Sequence, residues 1–338
     1  MARHTHSYEA EIVQILSRID NLSESSFEFD GQKIAVGSGS SNSPQLPQTP
    51  AFVADLQTVL YRDCYCHQFH PGTLQEAVSA PLGVDGEFLK ELSQSNRSTS
   101  RWDMGWRVEN VDPSGRVSAL KGGVNRIFSP GEYVNFNMPG SQISIGDSIG
   151  AFITKESTTA QPGFYFAFSD AISATGNLDI VRYYWNINSA GVGRLFTLIT
   201  ESLNRFQVPF QLKCPVYREA FTRRDSAVLY VHKRFHSVVR RLAEKWQASC
   251  EEFLRDGTPL FTLAISKGVG IAEDPETGES FGMNRCRILS EAIWDAHKRG
   301  LRKSDQAAAI EQYFKRNRVD LNRPYLKPGS ADLYRGGN

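Results

Sequence analysis

The chain has 338 residues, of which 40% are hydrophobic and 22% charged. That balance belongs to a globular protein of one large or two modest domains and argues against a disordered or fibrous chain. Lys and Arg number 38 against 37 Asp and Glu, a formal net charge of +1, which disfavours a wholesale binder of nucleic acid or other polyanions. The sequence lacks any run of 18 or more apolar residues, so no membrane span is predicted. Met1 to Ser7 lead into an amphipathic stretch with no apolar signal core, and a cytoplasmic protein is expected. Five cysteines, scattered at 64, 66, 214, 250 and 286, do not form a disulfide framework; reduced thiols are expected.

In chain order, Ile12, Ile15, Leu16, Ile19 and Leu22 lie at helical spacing. Phe27 to Ile34 alternate around Asp30-Gly31, a hairpin signal. Residues 37–50 hold nine Gly, Ser or Pro in fourteen positions, a composition that cannot bury a core and predicts a linker or exposed loop. Residues 51–65 and 86–94 read as helices. Residues 106–168, rich in Gly, Val, Ile and aromatics with turn signals, read as a succession of strands. Two buried strands, 180–187 and 208–214, flank a helix over 190–206. A strand over 226–232, a basic helix over 235–254 and helices over 285–299 and 305–316 complete the pattern. This order predicts an α+β fold with a central mixed or antiparallel sheet and flanking helices. The expected organisation is an N-terminal helix and hairpin appendage over 1–36, the linker over 37–50, one main domain over 51–328 and a tail over 329–338.

Charge is uneven along the chain. Residues 205–255 hold eleven Lys and Arg against five Asp and Glu, and residues 281–318 nine against four. A positive face there suits an anionic group; a solvated basic helix face is the other reading. There is no G-x-S-x-G and no phosphate-cradling G-x-x-x-x-G-K-[ST]. Gly191-Val-Gly193 lacks the third glycine of a dinucleotide site. Cys64, Cys66, His67 and His70 collect possible metal ligands at one helix end, but no second cluster faces them, so no metal site is expected. Asp274 to Glu279 read as an acidic turn.

The central strands are more informative. In Val181 to Asn186 the alternation points Arg182 and Tyr184 to one face. Lys213 interrupts an apolar strand, Arg223-Arg224-Asp225 precede the next, and Arg285 and Arg287 lie near the start of a helix, where backbone N–H groups favour anions. Lysine and arginine inside a core are costly unless paired or facing a cleft. Singly, each is accounted for by salt bridging to Asp225 or Glu291; converging, they would form an anion site.

An ordered series of motifs resembles the HopA-class type III effector family of bacteria: Leu92-Ser-x-x-Asn96, Trp102-Asp-x-Gly105-Trp106-Arg-Val, Gly163-Phe-Tyr-x-Ala-x-x-Asp170, Arg182-x-Tyr184-Trp-Asn, Val208-Pro-Phe-x-x-Lys213, Arg224-Asp-x-Ala-Val-Leu-Tyr230, Gly270-x-Ala-Glu-Asp-Pro, Ser280-Phe-Gly-x-x-Arg285-Cys and Asp320-Leu-x-Arg-Pro-Tyr325-Leu. The resemblance covers about residues 55 to 328. Members occur as plant-pathogen effectors and beside kinase-like proteins in clusters for ribosomally made, lanthipeptide-type peptides. There the family is implied to be a lyase eliminating phosphate from phosphorylated Ser or Thr. A more distant likeness is to OspF-type phosphothreonine lyases, which use a strand Lys as base, a K-x-H motif whose His is the acid, and arginines on the phosphate. The resemblance puts Lys213 at the base position and Arg182-Tyr183-Tyr184 at the K-x-H position, with Tyr184 replacing the acid. Arg182, Arg224, Arg285, Arg287 and Tyr230 fall on the phosphate side.

β-Elimination needs a base at the Cα–H and neutralisation of the leaving phosphate. Arginine forks bind phosphate bidentately, and burial with adjacent arginines lowers a lysine pKa towards the range of a base. No metal or organic cofactor is required. The implied partners are a phosphorylated peptide and a kinase-like protein. The rival reading is a non-catalytic effector-like module that binds a protein through the same surface.

Overall fold

The computed structural model describes residues 8–37, 50–67, 69, 85–136, 138, 140–172 and 178–335. Among them are seven α-helices and three sheets in which every strand pair is antiparallel. Helix α1 (Tyr8–Leu16) leads into a small sheet of β1 (Ile19–Asp20), β2 (Ser26–Phe29) and β3 (Gln32–Ala35). Its hairpin turns at Asp30 and Gly31, at φ 49° and 80°, the paired left-handed residues of a tight turn. The linker expected over 37–50 falls almost wholly outside the described residues.

Helix α2 (Ala51–Leu60) runs on into a single π-helical turn, Tyr61–Tyr65, and α3 (Gly86–Ser95) follows, capped by Asp85 accepting from the Phe88 N–H at 2.9 Å. Then come β4 (Arg101–Val111), β5 (Val117–Lys121), β6 (Val124–Phe128), β7 (Tyr133–Val134) and β8 (Ser148–Ile153). These form a five-stranded sheet ordered β6-β5-β4-β8-β7, with a hydrophobic cluster of its own around Trp106, Val117, Phe128 and Ile149.

The main sheet is built from β9 (Glu156–Ser157), β10 (Phe164–Phe168), β11 (Ile180–Trp185), β12 (Phe210–Pro215), β13 (Ala227–His232), β14 (Leu263–Ser266) and β15 (Val269–Glu273), ordered β14-β15-β11-β13-β12-β10-β9. Helices α4 (Val192–Arg205) and α5 (His236–Ser249) cover one face; α6 (Phe281–Lys298), followed by α7 (Lys303–Arg316), lies over part of the other. Alternation decides which side chains go where. Tyr165 packs on Phe196 of α4, and Trp185 on Trp246 of α5 with ring centroids 6.3 Å apart, whereas Tyr184 turns to the opposite face against Phe281 of α6. Helix α6 approaches the π-turn closely at Gly282, where a Cβ would come within 2.5 Å of the Tyr65 ring.

Two expected boundaries differ. The N-terminal helix and hairpin are not an appendage: Tyr8, Ile12, Phe27 and Phe29 belong to the main core, and the Tyr8 hydroxyl donates to the Thr262 carbonyl at 2.9 Å. The apolar face of a short helix and a lone hairpin finds its burial only there. Nor do residues 329–335 form a loose tail. Tyr334 is buried, and its hydroxyl donates to Glu273 at 2.6 Å.

Candidate functional site

Directly opposed residues of an antiparallel sheet project to the same face. The register therefore lines up Arg182, Tyr230, Gln211 and Phe168 in one row across β11, β13, β12 and β10. The neighbouring row holds Tyr184, Val228, Lys213 and Phe166. The first row floors a cleft of about 740 Å³, walled by Arg126 of the five-stranded sheet, by His232 and by the turn carrying Asp274, Glu276 and Glu279.

Within the cleft, Arg182 donates through Nε to Asp274 Oδ2 at 2.9 Å and through Nη2 to the same oxygen, and its Cζ lies 5.1 Å from the Tyr230 ring centroid. Burial opposes the charge, but Tyr184, Tyr230 and Asp274 outweigh it and raise the arginine's pKa above the ordinary value. Every rim carboxylate has a basic partner: Glu276 meets Lys327 at 2.7 Å, and Glu279 meets Arg287 at 2.9 Å. His232 accepts the Arg234 N–H at Nδ1, 3.1 Å away, which places the ring proton on Nε2 of the neutral tautomer. Burial lowers its pKa below 6.5, so the ring is neutral at pH 7.

Lys213 shares this sheet face but leans away from the Arg182 row. Its Nζ donates to Gln161 Oε1 at 3.0 Å and sits 4.2 Å from the Phe164 ring centroid. Nearby, Asp225 accepts from Arg223 Nε and Nη2 at 2.8 Å each, and Arg223 also donates to the Tyr61 hydroxyl at 3.0 Å. Burial pushes the Asp225 pKa up, but Arg223 and Lys213 overcome this and hold it below the usual carboxylate range. The face thus carries two polar centres, one around Arg182 and one around Lys213 and Asp225.

Four residues expected at the site are engaged elsewhere. Tyr184, named as the acid, is 2% exposed, packed between Tyr65 and Phe281, and burial drives its pKa upward, away from a useful acid. Arg224 donates to the Thr258 carbonyl at 3.0 Å. Arg285 is 1% exposed and donates to the Pro324 and Leu326 carbonyls at 2.7 Å each, fixing the chain that follows α7. Burial depresses its pKa to about 10. Arg287 stands behind the rim, between Glu279 and Glu291. Of the residues nominated from sequence, Arg182 and Tyr230 line the cleft, and Lys213 lies one row away.

Sequence reasoning missed Arg126, Gln211 and Asp274. A signal for Arg126 existed, since it alternates with Val124 and Phe128 on one strand face. The metal reading of Cys64, Cys66 and His67 meets ordinary packing: both thiols are buried, and His67 Nδ1 lies 2.7 Å from the Arg62 carbonyl, while His70 lies outside the described residues. Among the described residues no helix is long and apolar enough to cross a membrane.

Fold and cleft together define an α+β protein with antiparallel sheets and a polar cleft on the face of the larger one. The HopA1 effector protein family matches residues 155–326, about half of the chain, and the chain belongs to that family. It is similar to the solved structure of an effector protein from Pseudomonas syringae pv. tomato strain DC3000, at 17% identity over 84% of this chain and 92% of that one, with a TM-score of 0.46. A second effector structure, from Pseudomonas syringae pv. syringae strain 61, is similar at 13% identity over 80% and 88%, with a TM-score of 0.45. No curated protein matches the chain.

Proposed function

We propose that the protein is a phosphoserine/phosphothreonine lyase, acting on a peptide phosphorylated by a partner kinase and leaving a dehydroamino acid. The observation that carries this reading is the shared sheet face of Lys213, Gln211, Tyr230 and Arg182 beside a cleft whose carboxylates are all paired. With strands about 4.8 Å apart and about 3.4 Å per residue, the Cα atoms of Arg182 and Lys213 are roughly 12 Å apart. Two long side chains span that gap around a phosphorylated residue. Arg182 and Tyr230 hold the phosphate. Lys213, released from Gln161, takes the Cα proton; the C–H electrons form the Cα=Cβ bond and the Cβ–O electrons leave with phosphate. A hydrogen bond from the His232 Nε2–H to the departing oxygen takes the place expected of Tyr184, and a monoester that already carries one proton leaves as hydrogen phosphate.

The test is mass spectrometry of a phosphothreonine peptide incubated with the protein. Elimination removes the mass of phosphoric acid, whereas hydrolysis by a phosphatase leaves the hydroxyl behind. The second reading, a non-catalytic binding module, draws on Arg182 being already paired to Asp274 and on Lys213 resting on Gln161. Intact phosphopeptide recovered from a tight complex would favour it.

A further inference from the structure

Arg126 comes from β6 of the five-stranded sheet, outside the family match, yet it lines the same cleft as Arg182, Tyr230 and Gln211. Its guanidinium is half-buried, with Cζ 6.0 Å from the Trp106 ring centroid. Among the described residues it makes no hydrogen bond or ion pair. The carboxylate that acts on it through space, Asp103, already accepts from Lys121 at 2.8 Å and from the Trp106 indole N–H at 2.7 Å. The other charged side chains that line the cleft are all ion-paired: Arg182 with Asp274, Glu276 with a Lys327 that it shares with Asp179, and Glu279 with an Arg287 that it shares with Glu291. Among the described residues, Arg126 is the charged side chain of the cleft lining that has no ion-pair partner. A half-buried cation without a partner is costly, and an anion entering the cleft removes that cost.

We infer that Arg126 is the second jaw of the anion site, so that a phosphate monoester bound in the cleft lies between Arg126 of the five-stranded sheet and Arg182 of the main sheet. The choice of a phosphorylated residue as ligand rests on the lyase reading; the location rests on an unpaired guanidinium lining the cleft that Arg182 also lines. The five-stranded sheet is then part of the binding site, and phosphate recognition needs residues 101–153 as well as the family-matched region.

The test uses the full chain and calorimetric titration with an acetylated phosphothreonine tripeptide amide and with its unphosphorylated counterpart. Arg126→Gln should weaken binding of the phosphorylated peptide by about tenfold or more, the effect of a lost charge-assisted fork, and leave the unphosphorylated peptide unaffected. Arg126→Lys, which keeps the charge without the fork, should fall between the two and serves if Arg126→Gln does not fold. Wild-type affinity in Arg126→Gln, an equal loss for both peptides, or no phosphate preference in the wild type would each overturn the inference. Phosphopeptide held through Arg126 but never released as dehydroamino acid would keep it and sink the lyase reading. Turnover by Arg126→Gln at the wild-type kcat/KM would do the reverse.

Discussion

At the scale of single residues, partners separate cations that bind a ligand from cations that hold the fold. Lys213 is half-buried against Phe164 and held by one neutral amide, so it can move. Lys213→Ala should abolish elimination without shifting the unfolding midpoint, and Lys213→Arg should fail as well because guanidinium stays protonated. A folded Lys213→Ala protein at full activity by mass spectrometry would remove the lysine from the mechanism. Arg285 is the opposite case. Its guanidinium satisfies two backbone carbonyls and the Asn284 side chain in the dry interior. Arg285→Ala should therefore cost about 3 kcal/mol of stability, the penalty for orphaning buried acceptors. Urea denaturation measures this, and a loss of phosphopeptide affinity with unchanged stability would contradict it.

At the scale of elements, the junction of β13 with α5 carries a built-in pH dependence. His236 is 7% exposed, its Nδ1 lies 2.7 Å from the Tyr183 hydroxyl, and Tyr334 sits edge-on to the ring. Burial lowers its pKa to about 4; Arg240 and Lys233 push the same way and Glu273 opposes them. The unfolded chain takes up a proton near pH 6.5 that the folded chain refuses until about pH 4. Stability from this group is thus complete above pH 6.5 and is lost as pH falls towards 4, by up to about 3 kcal/mol. His236→Gln should lower stability at pH 7 but flatten the decline between pH 7 and 4 in urea titrations. An unchanged slope would mean that other groups carry the acid sensitivity.

At the scale of the whole molecule, the C-terminal segment acts as a strap. Glu273, 1% exposed at the end of β15, receives Tyr334 at 2.6 Å, Ser330 at 2.8 Å, Lys233 at 2.5 Å and the Lys327 N–H at 3.0 Å. Deleting residues 329–338 removes two of these donors and uncovers the His236 ring. We expect a loss of about 3 kcal/mol from the lost hydrogen bonds and buried aromatic surface, visible as an earlier denaturation midpoint. A midpoint equal to that of the full chain would return the segment to the status of a tail.

What could be read locally was what local rules control. Asp30-Gly31 specified a turn because both residues tolerate positive φ, and the alternation in Val181 to Asn186 placed Arg182 and Tyr184 on one face because the pleat has a period of two. Lys213 stood out because a charge in an apolar strand needs a reason. Alternation, however, names a face without saying what covers it. The same face is open at Arg182 and closed at Tyr184, where the π-turn and α6 arrive from about 120 and 100 residues away in sequence. Whether an arginine binds a ligand or the fold depended likewise on remote partners. Arg285 found the carbonyls of Pro324 and Leu326, Arg182 found Asp274, and Arg126 found a cleft floored by another sheet. Charge compensation acts through space, so only the tertiary structure could decide which of the cleft's described cations lacks an ion-pair partner.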